Sequence, residues 1–345
     1  MGARSLLGLD IGSTTIKAVE LTETRTGAAL TGYAYADLPS PSVLPDVLRD
    51  LLARARFRAR SVATSVSGRS VIVRYVLHPR VSDEELPARI RFEAAKYLPF
   101  DPGEAYVDYQ RLEEPGAPVA VGAAGAEMRL LLVAARKEVV ESHLGLLERL
   151  GLIPQVVDVD AFALGNAFEL RALTNPGAAG DKAAALLDIG ASKTTLAILK
   201  PFSSYSFSRE IYIAGNEFTE AISRRLEVPL EEAERLKRVP AERGDAVKEA
   251  LAQPMEDLCQ EVRLSFDYFE SQHEREVEGI WLSGGGALTP GLDEVIQRVF
   301  AKTPRRWDPA EGLEIRKERV GLGELRDFAG QSVIAMGLAS RVWKA

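Results

Sequence analysis

Two stretches of the chain repeat one pattern of apolar and polar positions. Residues 6–21, LLGLDIGSTTIKAVEL, and residues 185–199, ALLDIGASKTTLAIL, each run apolar into an Asp-Ile-Gly, pass a small polar cluster and resume as a second apolar run. An apolar run, a glycine turn and another apolar run predict a buried β-hairpin. The repetition predicts two similar halves. Around these, the pattern predicts strands over 31–38, 61–66 and 70–76, a helix over 46–56, a strand over 156–159 and a helix over 160–173 rich in alanine and glycine. Such small residues allow close packing on another helix. In the second half it predicts a strand over 205–213, helices over 215–226, from Pro229, and over 246–270, a strand over 280–283, and helices from Thr289 and over 331–343.

The turns carry the candidate chemistry. Gly12 and Gly190 permit a positive φ and a close backbone approach to a ligand. Ser13, Thr14 and Thr15 in one copy, and Ser192, Thr194 and Thr195 in the other, offer hydroxyls and amides suited to phosphate oxygens. Asp10 and Asp188 end the leading strands, where two carboxylates can hold a hydrated Mg2+ that bridges those phosphates. A single Asp-x-Gly is an ordinary turn. A third element, Ser283-Gly-Gly-Gly286, ends the strand over 280–283 and precedes a helix start, which favours an anion. It is neither a Walker loop nor a dinucleotide fingerprint, and taken alone it reads equally as a flexible turn.

Residues 77–152 depart from the pattern. Ser82 and the acids after it predict a helix running to Tyr97, stopped by Pro99; a strand over 105–112, a Gly, Ala and Pro-rich loop over 114–126, a strand over 128–135 and a helix over 137–150 follow. This insert interrupts the first half and has no counterpart in the second. The clearest linker, Asn175-Pro-Gly to Gly180, precedes the second hairpin and marks the expected boundary between halves.

Composition narrows the function. With 345 residues the chain can bury a large core. A net charge of -7 argues against a nucleic-acid surface. Cys259 is the single cysteine, so no internal disulfide forms; its neighbours Met255, Leu258 and Val262 place it in the core. The three histidines lie far apart, without metal-ligand spacing. No apolar run approaches the roughly 20 residues that span a bilayer, and no signal-peptide core begins the chain. A soluble, cytoplasmic protein is expected, with no direct membrane insertion and any membrane address supplied by a partner.

Asp10-Ile-Gly-Ser-Thr-Thr-Ile-Lys17, Asp188-Ile-Gly-Ala-Ser-Lys-Thr194 and Ser283-Gly-Gly-Gly286 resemble, in order and spacing, the phosphate-1, phosphate-2 and adenosine motifs of the actin-like ATPase superfamily. Within it the chain is most similar to the PilM family of type IV pilus assembly proteins, relatives of FtsA, and Lys96-Tyr-Leu-Pro-Phe-Asp101 carries that likeness. The resemblance implies an α/β, actin-like (ribonuclease H-like) duplicated fold. Its two halves face a nucleotide cleft, and an inserted subdomain 1C replaces 1B. The implied division is 1–76 with 153–176 as subdomain 1A, 77–152 as 1C, 177–214 with 279–345 as 2A, and 215–278 as 2B.

It further implies ATP with Mg2+. Gly12, Ser13, Thr14 and Thr15 would touch the β and γ phosphates, and Lys17 would neutralise them. Gly190, Ala191, Ser192, Lys193 and Thr194 would close the other side. Glu234 and Lys237 would match the E-x-x-K helix at the ribose. Gly284, Gly285, Gly286 and Leu288 would lie beside the base, with Gly215 and Asn216 as further contacts. Asp10 and Asp188 would hold the metal, directly or through water. Either Asp158 or Asp160 would orient the attacking water, with slow turnover at best. The implied function is nucleotide-controlled docking. The N-terminal cytoplasmic peptide of a PilN-type inner-membrane protein is captured beside subdomain 1C, with motor ATPases among further partners, and this partner recruits the protein to the membrane's inner face. Tyr97, Phe100 and Tyr106 fit an apolar peptide site; each reads equally as a local core residue. Rival readings are an FtsA-like division scaffold, a small-molecule kinase and a type II secretion domain.

Overall fold

The computed structural model describes residues 3–25, 27–82, 84–112, 127–174, 182–200, 203–240 and 243–343. The loop expected over 114–126 and the linker expected over 175–180 lie outside the described residues. By its contacts the chain divides into two compact units, residues 66–149 and the remainder.

In the larger unit the chain begins β1 (Ser5–Ile11), β2 (Thr15–Thr24), β3 (Gly27–Asp37), α1 (Leu44–Ala55) and β4 (Ser61–Val66). The smaller unit then contributes β5 (Val71–Pro79), α2 (Leu86–Ala94), β6 (Ala105–Arg111), β7 (Glu127–Arg136) and α3 (Lys137–Arg149). The larger unit resumes with β8 (Ile153–Val159), α4 (Asp160–Thr174), β9 (Ala183–Ile189), β10 (Thr194–Lys200) and β11 (Ser203–Ile211). Next come α5 (Gly215–Leu226), α6 (Leu230–Arg238), α7 (Gly244–His273), β12 (Val277–Ser283) and α8 (Leu292–Phe300). Last are β13 (Arg305–Arg306), β14 (Glu314–Ile315), α9 (Leu322–Phe328) and α10 (Val333–Ala339).

Two sheets carry the duplication. One runs β14-β3-β2-β1-β4-β8 and the other β11-β10-β9-β12-β13. In both, an antiparallel hairpin, β1 with β2 or β9 with β10, lies beside a parallel neighbour, β4 or β12. The central strands are buried along nearly their whole length, the continuous apolar run expected of a strand covered on both faces. On the side shared by the two sheets the covering is done by α4 and α10. Ala163, Leu164, Ala167, Ala335, Met336 and Leu338 form one buried cluster with Leu6, Val19 and Leu21 of one sheet and Leu186, Ala197 and Leu199 of the other. Each such leucine contributes about 1.5–3 kcal/mol relative to exposure. The small residues of α4 are explained by this crossing: a Cβ on Gly337 would overlap the Ala163 carbonyl oxygen. A second core, built on Phe218, Leu236, Leu258, Phe266 and Phe269, joins the outer face of the second sheet to α5, α6 and α7. Cys259 lies in it, 1% exposed, where burial pushes its thiol up to about 12.

The structure shifts three expected boundaries. The helix expected from Ser82 begins only at Leu86, because the Ser82 hydroxyl and carbonyl accept from the Glu85 and Leu86 amides in a preceding turn, and Pro87 fits the first helical turn. It ends at Ala94 rather than Tyr97. The last helix, expected over 331–343, is regular only from Val333 to Ala339 and is flanked by tighter 3-10 turns. β13 and β14 had no sequence signal; a two-residue strand has no periodicity to read. In the smaller unit a sheet ordered β5-β7-β6 packs on α2 through Val76, Leu86, Ile90, Met128, Leu130 and Leu132. Among the described residues, no helix is long and apolar enough to cross a membrane.

Candidate functional site

The two hairpins turn by the same local rule. The Gly12 amide donates to the Thr15 carbonyl at 3.0 Å, and the Gly190 amide to the Lys193 carbonyl, also at 3.0 Å. Both turns line one cavity of about 910 Å³ within the larger unit, with the Gly284–Gly286 segment beyond β12 and the facing ends of α5 and α6. The start of α5 is tied to the second turn: Gly215 donates to the Gly190 carbonyl at 3.1 Å and Asn216 to the Ala191 carbonyl at 2.7 Å.

Around the two turns the cavity is lined by Asp10, Asp160, Asp188, Lys17 and Lys193. Lys17 pairs with Asp10 at 3.1 Å, both largely buried, because the register sets them directly opposite across the hairpin. Asp188 instead accepts from the Ser283 hydroxyl at 2.9 Å, brought by the parallel neighbour β12. Burial pushes the Asp188 carboxyl up to about 6, with Asp10 and Asp160 adding repulsion and Lys17 opposing it. Burial also raises Asp10, against the attraction of Lys17. Asp160, the first residue of α4, takes the Ser65 hydroxyl at 2.6 Å and the Lys193 ammonium at 2.9 Å; Lys193 also reaches Glu210 at 2.7 Å. Burial alone would depress Lys193, but Asp160 and Glu210 together hold it above its ordinary value.

Across the cavity, α6 is pinned to α5 by Lys237. Its ammonium donates to the Gly215 carbonyl at 2.9 Å and the Thr219 hydroxyl at 2.8 Å, and pairs with Glu234 at 2.6 Å. Three donors are thus committed within the protein. Burial lowers the Lys237 pKa, and Glu234 opposes the shift.

Of the residues singled out from sequence, Asp10, Gly12, Ser13, Thr14, Thr15, Lys17, Asp160, Asp188, Gly190, Ala191, Ser192, Lys193, Gly215, Asn216, Glu234, Lys237, Gly284, Gly285, Gly286 and Leu288 line the cavity. Thr194 does not: its buried hydroxyl donates to the Ile213 carbonyl at 2.7 Å, which closes β10 onto the segment after β11. Asp158 does not line it either. Asp158 still belongs to β8 whereas Asp160 opens α4, so the change from strand to helix between them separates the two side chains, and Asp158 is buried against Arg341 at 3.1 Å and Asn166 at 3.5 Å. Sequence reasoning missed Tyr35, Phe328 and Gln331, which also line the cavity. Tyr35 and Phe328 stack at 4.0 Å with their planes 10° apart. One belongs to β3 and the other ends α9, so no local pattern could pair them.

A family model for type IV pilus assembly protein PilM matches residues 8–343. The chain belongs to that family. Its fold is similar to a solved PilM-PilN type IV pilus biogenesis complex, with a TM-score of 0.83 and 30% identity over 98% of each chain. Two structures with much lower identity share the fold alone. The ethanolamine utilization protein EutJ from Carboxydothermus hydrogenoformans matches at TM-score 0.57 and 13% identity, over 99% of this chain and 90% of that one. MreB5 of Spiroplasma citri bound to ADP matches at 0.51 and 11%, over 97% and 94%. The fold of this PilM-family chain is the duplicated actin-like one.

In the smaller unit of this family member, Tyr97 and Tyr106 are exposed and neither they nor Phe100 belongs to the buried cluster under α2. The Arg136 guanidinium lies 4.3 Å over the Phe100 ring, and the Tyr106 hydroxyl donates to Glu141 at 3.0 Å. Phe92, on α2, is 74% exposed and was not singled out from sequence. A lone phenylalanine on a nine-residue helix reads as a core position until the burial of its neighbours Leu86, Ile90 and Ala94 shows which face is covered.

Proposed function

We propose that this PilM-family chain is a nucleotide-responsive adaptor of type IV pilus assembly. It holds ATP with Mg2+ in the cavity between the hairpin turns and captures the N-terminal cytoplasmic peptide of a PilN-type inner-membrane protein, which recruits it to the membrane. The observation that carries the reading is likeness over 98% of each chain to a PilM-PilN complex. The cavity supplies the nucleotide half.

The residues present fit that group. A Cβ on Gly12 would stand 3.0 Å from the Thr15 carbonyl oxygen and one on Gly190 3.1 Å from that of Lys193, so each turn is tight against its own closing carbonyl, although neither glycine takes the positive φ that its residue type permits. Ser13, Thr14, Thr15 and Ser192 hold the phosphate oxygens, and Lys17 offsets their charge. Asp10 and Asp188, both raised chiefly by burial, would gain from a divalent cation bound with the phosphates. Magnesium, when bound, supplies charge neutralisation. Asp160, not Asp158, orients water, since only Asp160 faces the cavity. Thr219 and Glu234 face the ribose side while Lys237 braces them.

On the smaller unit, Tyr97, Phe100 and Tyr106 receive the peptide, with the exposed Phe92 extending the apolar surface. The test is fluorescence anisotropy of a labelled PilN-type N-terminal peptide titrated with the protein, with and without Mg-ATP. Saturable binding that changes with nucleotide is expected. Absence of peptide binding in both states, with ATP still bound, removes the adaptor reading. Phe100→Asp is expected to weaken the peptide about tenfold or more and leave ATP affinity unchanged, since an apolar anchor of this size is worth about 1.5–3 kcal/mol.

A further inference from the structure

Asp160 and Lys193 do more than line the cavity. Ser65 stands on β4 of the first sheet, Asp160 starts α4, Lys193 lies in the turn between β9 and β10, and Glu210 is on β11 of the second sheet. Their side chains form one unbroken polar chain: Ser65 to Asp160 at 2.6 Å, Asp160 to Lys193 at 2.9 Å, Lys193 to Glu210 at 2.7 Å. The chain runs from one sheet to the other along the cavity wall. The lysine and its two acid partners are each 21% exposed or less by side chain, so water screens them weakly.

The position matters because of what else lies there. Asp160 lies close enough to repel both Asp10 and Asp188, Asp10 also repels Asp188, and Lys17 and Lys193 are the lysines that oppose this charge. Asp160 and Glu210 take two of the three Lys193 donors and already neutralise its charge, so a phosphate finds one donor and little net positive charge while both pairs are made. A terminal phosphate entering between the turns competes with Asp160 for the ammonium, and the carboxylate it releases is the one at the head of α4. Since α4 packs on α10 and on β10 and β11, a change at its first residue is passed to the helix pair between the sheets.

We propose that Lys193 and Asp160 form a latch across the cavity, closed by their ion pair and opened by the terminal phosphate of a bound nucleoside triphosphate. The latch rests on the nucleotide reading of the cavity for what opens it, and on the geometry alone for its existence. It also predicts slow turnover: Asp160 is engaged by Lys193 and Ser65 unless a triphosphate draws the lysine away.

The test is a cycle of Lys193→Met, Asp160→Asn and the double substitution. Amide hydrogen exchange is followed first in the nucleotide-free protein over residues 160–164 and 191–195. Either single change is expected to speed exchange in both segments by about fivefold to tenfold, and the double change no further, as for two partners of one interaction. Should Lys193→Met not fold, Asp160→Asn alone decides, because exchange must then rise in the unsubstituted turn at 191–195. Exchange confined to the segment that carries the substitution, or adding in the double, overturns the latch.

Titration with Mg-ATP and Mg-ADP follows. Lys193→Met is expected to weaken ATP about tenfold or more and ADP much less, since three carboxylates then face the terminal phosphate against one lysine. Asp160→Asn in the same protein restores most of the loss. Equal losses for ATP and ADP, or no restoration, overturn the triphosphate as the opener. A coupled exchange cycle in a protein that binds neither nucleotide overturns the nucleotide reading and the opener together, while upholding the ion pair as a fixed brace.

Discussion

The two hairpins share a backbone and differ in wiring. In each, an aspartate ends the leading strand and a glycine amide closes the turn at 3.0 Å. In the first, the strand position opposite Asp10 is Lys17, so the acid and its counter-ion belong to the same hairpin. In the second, the matching position opposite Asp188 is Thr195, and the lysine has moved into the turn, where Lys193 engages Asp160 and Glu210. Asp188 is left to a hydroxyl from β12. Both turns can cradle phosphate, but one is electrically self-contained and the other is connected to the rest of the molecule. The duplicated fold thus carries one hairpin whose ion pair is internal and one whose lysine pairs outside it.

Five substitutions break or sharpen that comparison. The largest effect is expected at the brace behind the second hairpin. Gly284 has φ of +86°, and a Cβ there would overlap the Ile189 carbonyl at the end of β9. Gly284→Ala should cost about 4 kcal/mol or more in chemical denaturation, whereas Gly12→Ala in the first turn should cost about 1 kcal/mol because its nearest contact is only tight. A smaller cost for Gly284→Ala would mean that the second turn is not held from behind. Next, Lys17→Met strands Asp10 without its counter-ion, and should destabilise the protein by about 1–3 kcal/mol and weaken ATP in a direct titration. Unchanged ATP affinity would remove Lys17 from the phosphate site.

Asp188→Asn is expected to act in the opposite direction. A carboxyl raised from 3.8 to about 6 holds its proton more tightly in the folded chain than in the unfolded one. The folded state therefore binds more protons between about pH 4 and 6, and stability falls as pH rises through that window. Replacing the charge should stabilise the nucleotide-free protein by about 2–3 kcal/mol at pH 8 and by almost nothing below pH 4. Melting curves at both pH values check this; equal shifts at both would assign the gain to something other than charge. The smallest effect belongs to Ser283→Ala. Losing one hydroxyl donor should cost about 1 kcal/mol or less and move the Asp188 titration midpoint upward, as followed by carboxyl NMR.

Much of this was legible from local pattern. The hairpins, the glycines at their turns and the strand that ends at Ser283 announce themselves because an apolar run broken by glycine has few other solutions. The helix of small residues over 160–173 signalled a close crossing; its partner, α10, could not be named, since that contact joins residues far apart in sequence. Asp158 and Asp160 looked alike for the same reason. Both flank a strand end, and only the assembled sheet sends one to Arg341 and the other to Lys193. Glu20 gives the sharpest case. It sits in β2 like any polar strand residue, yet it is fully buried, accepting from Thr31, from the Arg58 and Ala59 amides, and from Arg319 at 3.1 Å.

By itself the sequence determined the repeated strand-turn-strand units, the residue types at their turns and the likeness to the PilM family, because each depends on neighbours within a few positions. Only the tertiary structure decided which charges meet. Whether Lys193 faces phosphate or Asp160, whether Lys237 braces α5 or reaches outward, and which aspartate looks into the cavity are set by contacts across tens to hundreds of residues. The energy of such a contact lies in burial and distance, which no local pattern encodes.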